Sequence, residues 1–220
     1  MNIAASALAA VAFLCWGQLV HAADMSVMVQ DHRGRPIADA VVLAVPGEPR
    51  NAVRPKPPLD AVDQVDKQFV PFVKPIFVGS KVRFPNSDKI RHQVYSFSPS
   101  RKFELPLYGG DSEAPPIIFD KPGVVVLGCN IHDWMVGYIY VAETPYFAKS
   151  QASGKAAIEG LPPGEYRVRV WHPRMEQHDE GSTRIVTVAA DPPTHIVWEM
   201  GLKPTFRVPR MTGGSSASYP

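Results

Sequence analysis

The 220-residue chain is close to electrical neutrality, with 23 Lys and Arg against 21 Asp and Glu and a formal net charge of +2. Because it lacks both a large positive charge and a run of basic residues, we expect no binding to nucleic acid. The sequence also lacks a nucleophile elbow and a paired-carboxylate motif, so nothing in it points to a hydrolase.

Residues 1–22 are predicted to be a secretory signal peptide. Residues 4–20 are largely apolar, and residues 20–22 offer a small-residue cleavage site, although the segment has no Lys or Arg before the apolar stretch. The unbroken apolar stretch is short for a bilayer-spanning helix, which disfavours the alternative of an uncleaved anchor. We expect export to the periplasm without stable membrane insertion.

Cysteine usage supports a functional thiol. The chain has two cysteines, and Cys15 lies in the predicted signal peptide. Cys129 would then be the only cysteine of the mature chain, which excludes an intramolecular disulfide. A lone cysteine in an oxidising compartment is expected to be either buried or used, and metal ligation achieves both.

The first predicted elements are two strands near the N-terminus. Residues 25–30 alternate apolar and polar, residues 31–36 form a turn, and residues 38–45 read as a second strand. The positions of Asp31, Gly34, Pro36 and Ala40 resemble the opening of carboxypeptidase-regulatory-like domains, which have a transthyretin-like β-sandwich. Residues 46–66 are rich in proline and are predicted to be a linker or an extended crossing segment.

Further strands follow. Residues 68–78 are apolar but contain Pro71 and Pro75, which limits them to edge or bent strands. Residues 81–84 and 90–97 are predicted strands on either side of a turn, and in the second of them His92 and Val94 share one face. His92 is therefore either a core histidine or a ligand that faces the interior.

Three potential metal donors lie within seven residues of each other. An apolar run at 124–127 predicts a buried strand, Cys129, His132 and Met135 follow on a short loop, and residues 138–141 resume a strand pattern. A thiolate, a thioether and two imidazoles are the ligand set of a blue-copper site, and His92 is the candidate for the second imidazole. The alternative is that Cys129 is a small buried hydrophobe.

These residues carry a resemblance to a known family. The segment 78–88, then His92, then Cys129-x-x-His132-x-x-Met135, resembles cupredoxins over residues 66–142. The two-residue gap between His132 and Met135 is similar to amicyanin, whereas many plastocyanins have a longer gap. The resemblance also extends to methylamine utilisation proteins.

The resemblance implies a Greek-key β-sandwich that holds one copper ion at one end. It also implies ligand roles for the two histidines, the cysteine and the methionine, with His132 nearest the surface. Two positions depart from the family: Gln93 stands where many relatives have Asn, and Asp133 where amicyanin-like loops often have Pro. The adjacent Trp134 is expected to be a packing residue, with part of an exposed partner patch as the alternative.

The C-terminal part of the chain is predicted to return to the first domain type. The run Gly-Leu-Pro-Pro-Gly-Glu-Tyr at 160–166 again resembles the regulatory-like β-sandwich, and residues 184–189 and 194–200 alternate as strands. The fold is therefore predicted to be all-β, a cupredoxin-like Greek-key β-sandwich plus a second small β-sandwich built from the flanking segments, with a single merged sandwich as the alternative. The predicted parts are 1–22 (signal), 23–50 and 143–201 (regulatory-like sandwich), 66–142 (cupredoxin-like) and 202–220 (disordered tail).

Other possible donors do not form a familiar metal geometry, and we expect them to be solvated loop residues: His172, Met175, His178 and His195. The predicted function is electron transfer by one Cu(II)/Cu(I) ion rather than catalysis. The predicted partner is a redox protein, a cytochrome or a quinoprotein-type dehydrogenase. A copper-delivery protein and a metal-free structural β-sandwich are the alternatives.

Overall fold

A computed structural model describes residues 23–48, 58–110, 112, 114–176 and 182–204. The predicted signal peptide and residues 205–220 of the predicted tail lie outside these ranges. Within them the chain forms strands and no α-helix, so no described segment is a helix of the length and hydrophobicity needed to cross a bilayer. The all-β fold class is confirmed.

The described residues form 17 strands. In chain order they are β1 (Ala23–Gln30), β2 (Val41–Pro46), β3 (Leu59–Ala61), β4 (Asp63–Val65), β5 (Gln68–Val70), β6 (Val73–Phe77), β7 (Ser80–Arg83), β8 (Tyr95–Ser98), β9 (Arg101–Glu104), β10 (Ile117–Phe119), β11 (Gly123–Gly128), β12 (Val136–Ala142), β13 (Phe147–Lys149), β14 (Lys155–Leu161), β15 (Gly164–Trp171), β16 (Thr183–Val188) and β17 (Thr194–Glu199).

The middle of the chain builds one sandwich. A five-stranded sheet, in the order β6-β12-β11-β8-β9, packs against a three-stranded sheet, β10-β7-β3. Alternation explains the packing: in β11 the side chains of Val125 and Leu127 are buried, whereas Val126 between them is exposed. Val82 and Phe119 from the smaller sheet belong to the same buried cluster. This cluster lies beneath the loop that joins β11 to β12.

The two ends of the chain build a second pair of sheets. One sheet has the order β14-β1-β17 and the other β13-β2-β15-β16. Strand β1 pairs in parallel with β17, near the far end of the sequence, from Met25 with Thr194 to Gln30 with Glu199. A separate buried cluster, which includes Val27, Val168 and Trp198, fills the space between these sheets.

A third buried cluster joins the two sandwiches. Val41 and Leu43 of β2 pack with Val73 of β6 and Ala142 of β12. The ring of Trp171 packs nearby, with centroid distances of 5.9 Å to Tyr138 and 5.2 Å to Tyr140. Strand β12 is thus packed on both faces, which gives the loop before it a rigid base.

Of the two alternatives predicted for residues 46–66, the linker was wrong for the second half, whereas an extended crossing segment agrees with the strands found there. Residues 59–65 form β3 and β4, and β3 pairs in parallel with β7. The prolines of this segment end at Pro58, and the residues after it include Val62 and Gln64, both fully buried. Burial of these alternate side chains stabilises short strands that the proline content had obscured.

Candidate metal centre

The β11–β12 hairpin places three potential donors on its connecting loop. The strands are antiparallel and their last pair is Gly128 with Val136. Cys129 follows β11 at once and is 2% exposed, while His132 is 9% exposed and Met135 is 1% exposed. The backbone N–H of Met135 donates to the carbonyl of His132 at 2.9 Å. This turn holds the three residues on a short arc at the end of the sandwich.

His92 reaches the same place from another part of the chain. Strand β8 neighbours β11, with Tyr95 paired to Gly128. His92 precedes Tyr95 by three residues and Cys129 follows Gly128, so the antiparallel register brings the two together. His92 is completely buried, and its backbone exchanges hydrogen bonds of 3.0 Å with Tyr108 in both directions.

The donor atoms of these residues converge. The Nδ1 atom of His92 lies 3.8 Å from the Sγ atom of Cys129, and the Nδ1 atom of His132 lies 3.9 Å from it. One donor atom from each residue can be chosen so that all lie within 4.8 Å of one another. Two donors bound to one ion at about 2.0–2.3 Å are themselves roughly 3.5–4 Å apart, so the residues fit a single metal ion.

The electrostatics favour the form of histidine that binds metals. Burial lowers the pKa of His132, and the neighbouring His92 and Lys67 lower it further, whereas Asp88 acts in the opposite direction. A neutral imidazole has a free lone pair for a metal, so the folded chain keeps His132 ready to ligate near neutral pH.

Met135 belongs to the same buried cluster as Cys129. In copper sites with two histidines and one cysteine, a methionine thioether forms a long, weak bond to the metal. Its position on the same loop, buried beside the cysteine, is compatible with that role, and its ligation stays a prediction.

Sequence reasoning missed Asp88, which it assigned only to a turn. The Oδ2 atom of Asp88 lies 2.7 Å from the Nε2 atom of His92. Burial acts to raise the pKa of Asp88, but hydrogen bonds from the backbone of Lys67, from His92 and from the backbone of Asp66 hold it below its ordinary value. The sequence offered one signal for this role: Asp88 is a carboxylate that precedes the candidate ligand His92 by four residues.

Trp134 is exposed, which differs from the expectation of a packing residue and agrees with the alternative of a surface position. Its side chain is 60% exposed, and its ring centroid is 5.2 Å from that of His132. On this short loop the inward positions are occupied by His132 and Met135, which leaves the indole at the surface. Ile131 is also exposed, so apolar side chains flank the most accessible of the candidate ligands.

Gln93 is directed away from the site. Its side-chain amide donates to the Oε1 atom of Glu104 at 2.6 Å, across the exposed edge of the sheet. The side chain of Gln93 thus contacts the last residue of β9 rather than the candidate ligands.

The expectation of solvated loop residues was wrong for two of the remaining candidates. His172 and Met175 are both buried: Met175 packs in the core of the second sandwich, and its backbone N–H donates to the carbonyl of His172 at 3.0 Å. His195 exchanges a 2.6 Å hydrogen bond with Ser26, and His178 lies outside the described residues. Elsewhere in the described ranges, no other three His, Cys, Asp or Glu side chains converge as these do.

No family model matches the chain, and no curated protein matches it. Three solved structures are similar to parts of it. A copper-containing nitrite reductase from Thermus scotoductus SA-01 is 27% identical with a TM-score of 0.38, covering 54% of this chain and 28% of its own. A purple cupredoxin from Nitrosopumilus maritimus is 22% identical with a TM-score of 0.33, covering 38% and 98%.

The third is the oxidised state of an amicyanin mutant, 20% identical with a TM-score of 0.35, covering 38% of this chain and 82% of its own. The chain thus spans less than a third of the nitrite reductase. Because all three TM-scores are below 0.5, the metal site is inferred from the residues and distances above rather than from these likenesses.

Proposed function

We propose that this chain is a periplasmic electron-transfer protein with one type 1 copper ion. The observation that carries the proposal is the convergence of two histidine Nδ1 atoms on the thiol of Cys129, each within 4 Å of its sulfur. His92, Cys129 and His132 would be the strong ligands of the ion, and Met135 would be its weaker fourth ligand.

The donor set favours copper over the metals that proteins bind more often. Structural zinc sites usually have four strong ligands, and calcium or magnesium sites are built from oxygen atoms. Two imidazoles, one thiolate and one nearby thioether match the donor set of blue-copper sites. Copper, when bound, supplies reversible one-electron exchange between Cu(II) and Cu(I).

The protein's contribution is to hold the donors and exclude water. Cys129 and His92 are anchored at the ends of neighbouring strands, so their positions change little when the charge at the site changes. Leu127 and Met135 in the core beneath them are buried, which removes water from the inner side of the site. Because the fold holds the donor atoms in place, little structural reorganisation of the site is needed for electron exchange.

The proposed route for the electron is through His132. It is the least buried of the proposed strong ligands, and the exposed indole of Trp134 contacts its ring. A redox partner, proposed to be a cytochrome or a quinoprotein-type dehydrogenase, would approach this face. No substrate position is assigned, and the proposed role is not enzymatic.

The test is to load the full chain with Cu(II) and record absorption and EPR spectra. We expect an intense visible band from thiolate-to-copper charge transfer and a narrow copper hyperfine splitting. Cys129→Ser is expected to abolish the band, whereas His195→Gln, which changes a histidine outside the site, is expected to retain it. A colourless Cu(II) protein, or an unchanged band in Cys129→Ser, would overturn the proposal.

A second measurement separates electron transfer from copper delivery, because both can use these ligands. The copper protein is cycled between oxidation states in the presence of a Cu(I) chelator. Retention of copper with a reversible potential is expected, whereas rapid loss of Cu(I) would instead identify a delivery protein. Met135→Leu is expected to alter the potential and the EPR spectrum, while Met28→Leu on the exposed face of β1 is the matched control.

A further inference from the structure

The carboxylate of Asp88 lies behind the candidate metal site, on the side of His92 that faces away from Cys129. Its Oδ2 atom is 2.7 Å from the Nε2 atom of His92, while the Nδ1 atom of the same ring is 3.8 Å from the sulfur of Cys129. The imidazole therefore bridges a carboxylate and a thiol, one on each nitrogen.

The hydrogen-bond pattern around Asp88 determines which nitrogen carries the proton. Its Oδ1 atom accepts the backbone N–H of Asp66 at 2.7 Å, and its Oδ2 atom accepts the backbone N–H of Lys67 at 2.9 Å. An ionised carboxylate has lone pairs on both oxygens and no proton to donate, so in the 2.7 Å contact the imidazole of His92 is the donor. In the neutral ring the proton is then on Nε2, and the lone pair on Nδ1 faces Cys129.

The two donors that hold Asp88 come from an unusual turn. Asp66 and Lys67 connect β4 to β5, and both have positive φ angles, 50° and 58°. Two successive left-handed residues are typical of a type I′ hairpin turn, where Asn and Gly are the preferred residues. The turn directs the backbone N–H groups of both residues at one carboxylate. These hydrogen bonds offset part of the cost of two non-glycine residues in the left-handed conformation.

A second set of contacts fixes the loop that carries Asp88. The backbone N–H of Asp88 donates to the side-chain oxygen of Asn86 at 3.0 Å. The amide nitrogen of Asn86 in turn donates to the carbonyls of Ile90 and Tyr108, at 2.9 Å and 3.0 Å. Tyr108 is the backbone partner of His92, so the carboxylate and the imidazole are held by the same framework.

We propose that Asp88 is a positioning residue that fixes His92 in the Nε2–H tautomer and aims its Nδ1 lone pair at the metal position. The β4–β5 turn holds this carboxylate in place through the backbone N–H groups of Asp66 and Lys67. A histidine that ligates a metal is commonly oriented through a hydrogen bond from its other nitrogen to a carboxylate. The role at the metal rests on the proposed function, whereas the tautomer is a property of the metal-free chain.

The first test is therefore made without metal. Long-range proton–nitrogen NMR of the metal-free chain reports which ring nitrogen of each histidine carries a proton. We expect the Nε2–H form for His92 in the wild-type chain. Asp88→Asn puts an N–H₂ group where one carboxylate oxygen was, so that it can donate to Nε2 and favour the Nδ1–H form.

Asp63→Asn is the matched control. Asp63 is the first residue of β4. Its carboxylate accepts hydrogen bonds from the backbone N–H and the hydroxyl of Ser87, at 3.2 Å and 2.7 Å. Asp63 also accepts the backbone N–H of Gln64 at 2.7 Å, and none of these hydrogen bonds involves His92. We expect Asp63→Asn to leave the His92 tautomer unchanged.

The second test measures Cu(II) binding. Asp88→Asn is expected to weaken it about tenfold or more, the usual consequence of losing such a support, and Asp63→Asn to change it less than twofold. Tight Cu(II) binding by Asp88→Asn, or an unaltered His92 tautomer in that variant, would overturn the proposal. If Asp88→Asn does not fold, the wild-type NMR spectrum still decides, because an Nδ1–H form of His92 contradicts the inference.

The two proposals fail in different ways. A wild-type chain that shows the Nε2–H tautomer but binds no Cu(II) would overturn the copper function and leave the orientation of His92 supported. A wild-type chain that binds Cu(II) with a visible band, but whose spectra and affinity are unaffected by Asp88→Asn, would overturn the positioning role and leave the copper function supported.

Discussion

His172 is expected to make the stability of the second sandwich depend on pH. It lies directly after β15, and its Nδ1 atom accepts the backbone N–H of Arg174 at 3.1 Å. Burial lowers the pKa of His172 from 6.5 to about 4, with a further lowering by the charge of Arg174 and an opposing effect from Asp39. Protonation would remove the acceptor on Nδ1 and place a charge in a buried position.

The sign follows from the direction of the shift. Because the folded-state pKa is below that of the unfolded chain, the unfolded state takes up the proton first as pH falls. The contribution of the neutral His172 is complete above pH 6.5 and is lost progressively down to about pH 4. The full difference corresponds to roughly 3 kcal/mol, of which about 2 kcal/mol is lost between pH 7.5 and pH 5.

The assay is urea unfolding of the metal-free chain at pH 7.5 and pH 5, compared with His172→Asn. The asparagine oxygen can accept the N–H two residues ahead and does not titrate, so this variant removes the proton uptake while retaining the contact. We expect the free energy of unfolding to fall by about 2 kcal/mol more in the wild type than in the variant. Equal falls in the two proteins would refute the reasoning, since all other titrating groups are shared.

Two further substitutions test the backbone requirements around the metal end. Lys67→Gly is expected to stabilise the fold by up to about 0.5 kcal/mol, because glycine adopts the left-handed backbone at φ 58° without the steric cost that lysine has there. This gain outweighs the greater flexibility that glycine gives the unfolded chain. The control Lys102→Gly, on the exposed strand β9, should instead destabilise the fold by about 0.5–1 kcal/mol. The same sign for both in denaturant unfolding would contradict this. Gly137→Ala is expected to cost about 1–3 kcal/mol, because the added methyl carbon would lie 2.7 Å from the Cβ atom of the buried Phe69. Gly109→Ala, whose methyl would meet only a side-chain carbon at 3.6 Å, is the control, and an equal loss of thermal stability in the two would count against the packing argument.

The pattern of residues within a short segment was sufficient to predict the elements whose contacts are close in sequence. The loop with Cys129, His132 and Met135 was predicted because its donors are spaced along one short segment between two apolar strands. The strand β11 was predicted for the same reason, but as a buried run, whereas in the structure Val126 between the buried Val125 and Leu127 is exposed. The position of His92 beside Cys129 was a hypothesis only, because it depends on the pairing of Tyr95 with Gly128.

Several features needed the folded chain because their causes are distant in sequence. Asp88 acquires its contacts from a turn 21 and 22 residues earlier, and no spacing rule indicates such a pair. Trp134 was expected to pack, but a short loop has few inward positions. Residues 59–65 were obscured by the prolines before them, although their alternate side chains are buried.

Residue order along the chain thus accounts for the all-β class and the cluster of soft donors, since both are properties of segments a few residues long. Sheet register and burial account for the rest: which histidine meets the cysteine, which carboxylate supports that histidine, and which side chains remain at the surface. These are decided by contacts between segments that only the complete packing of both sandwiches brings together.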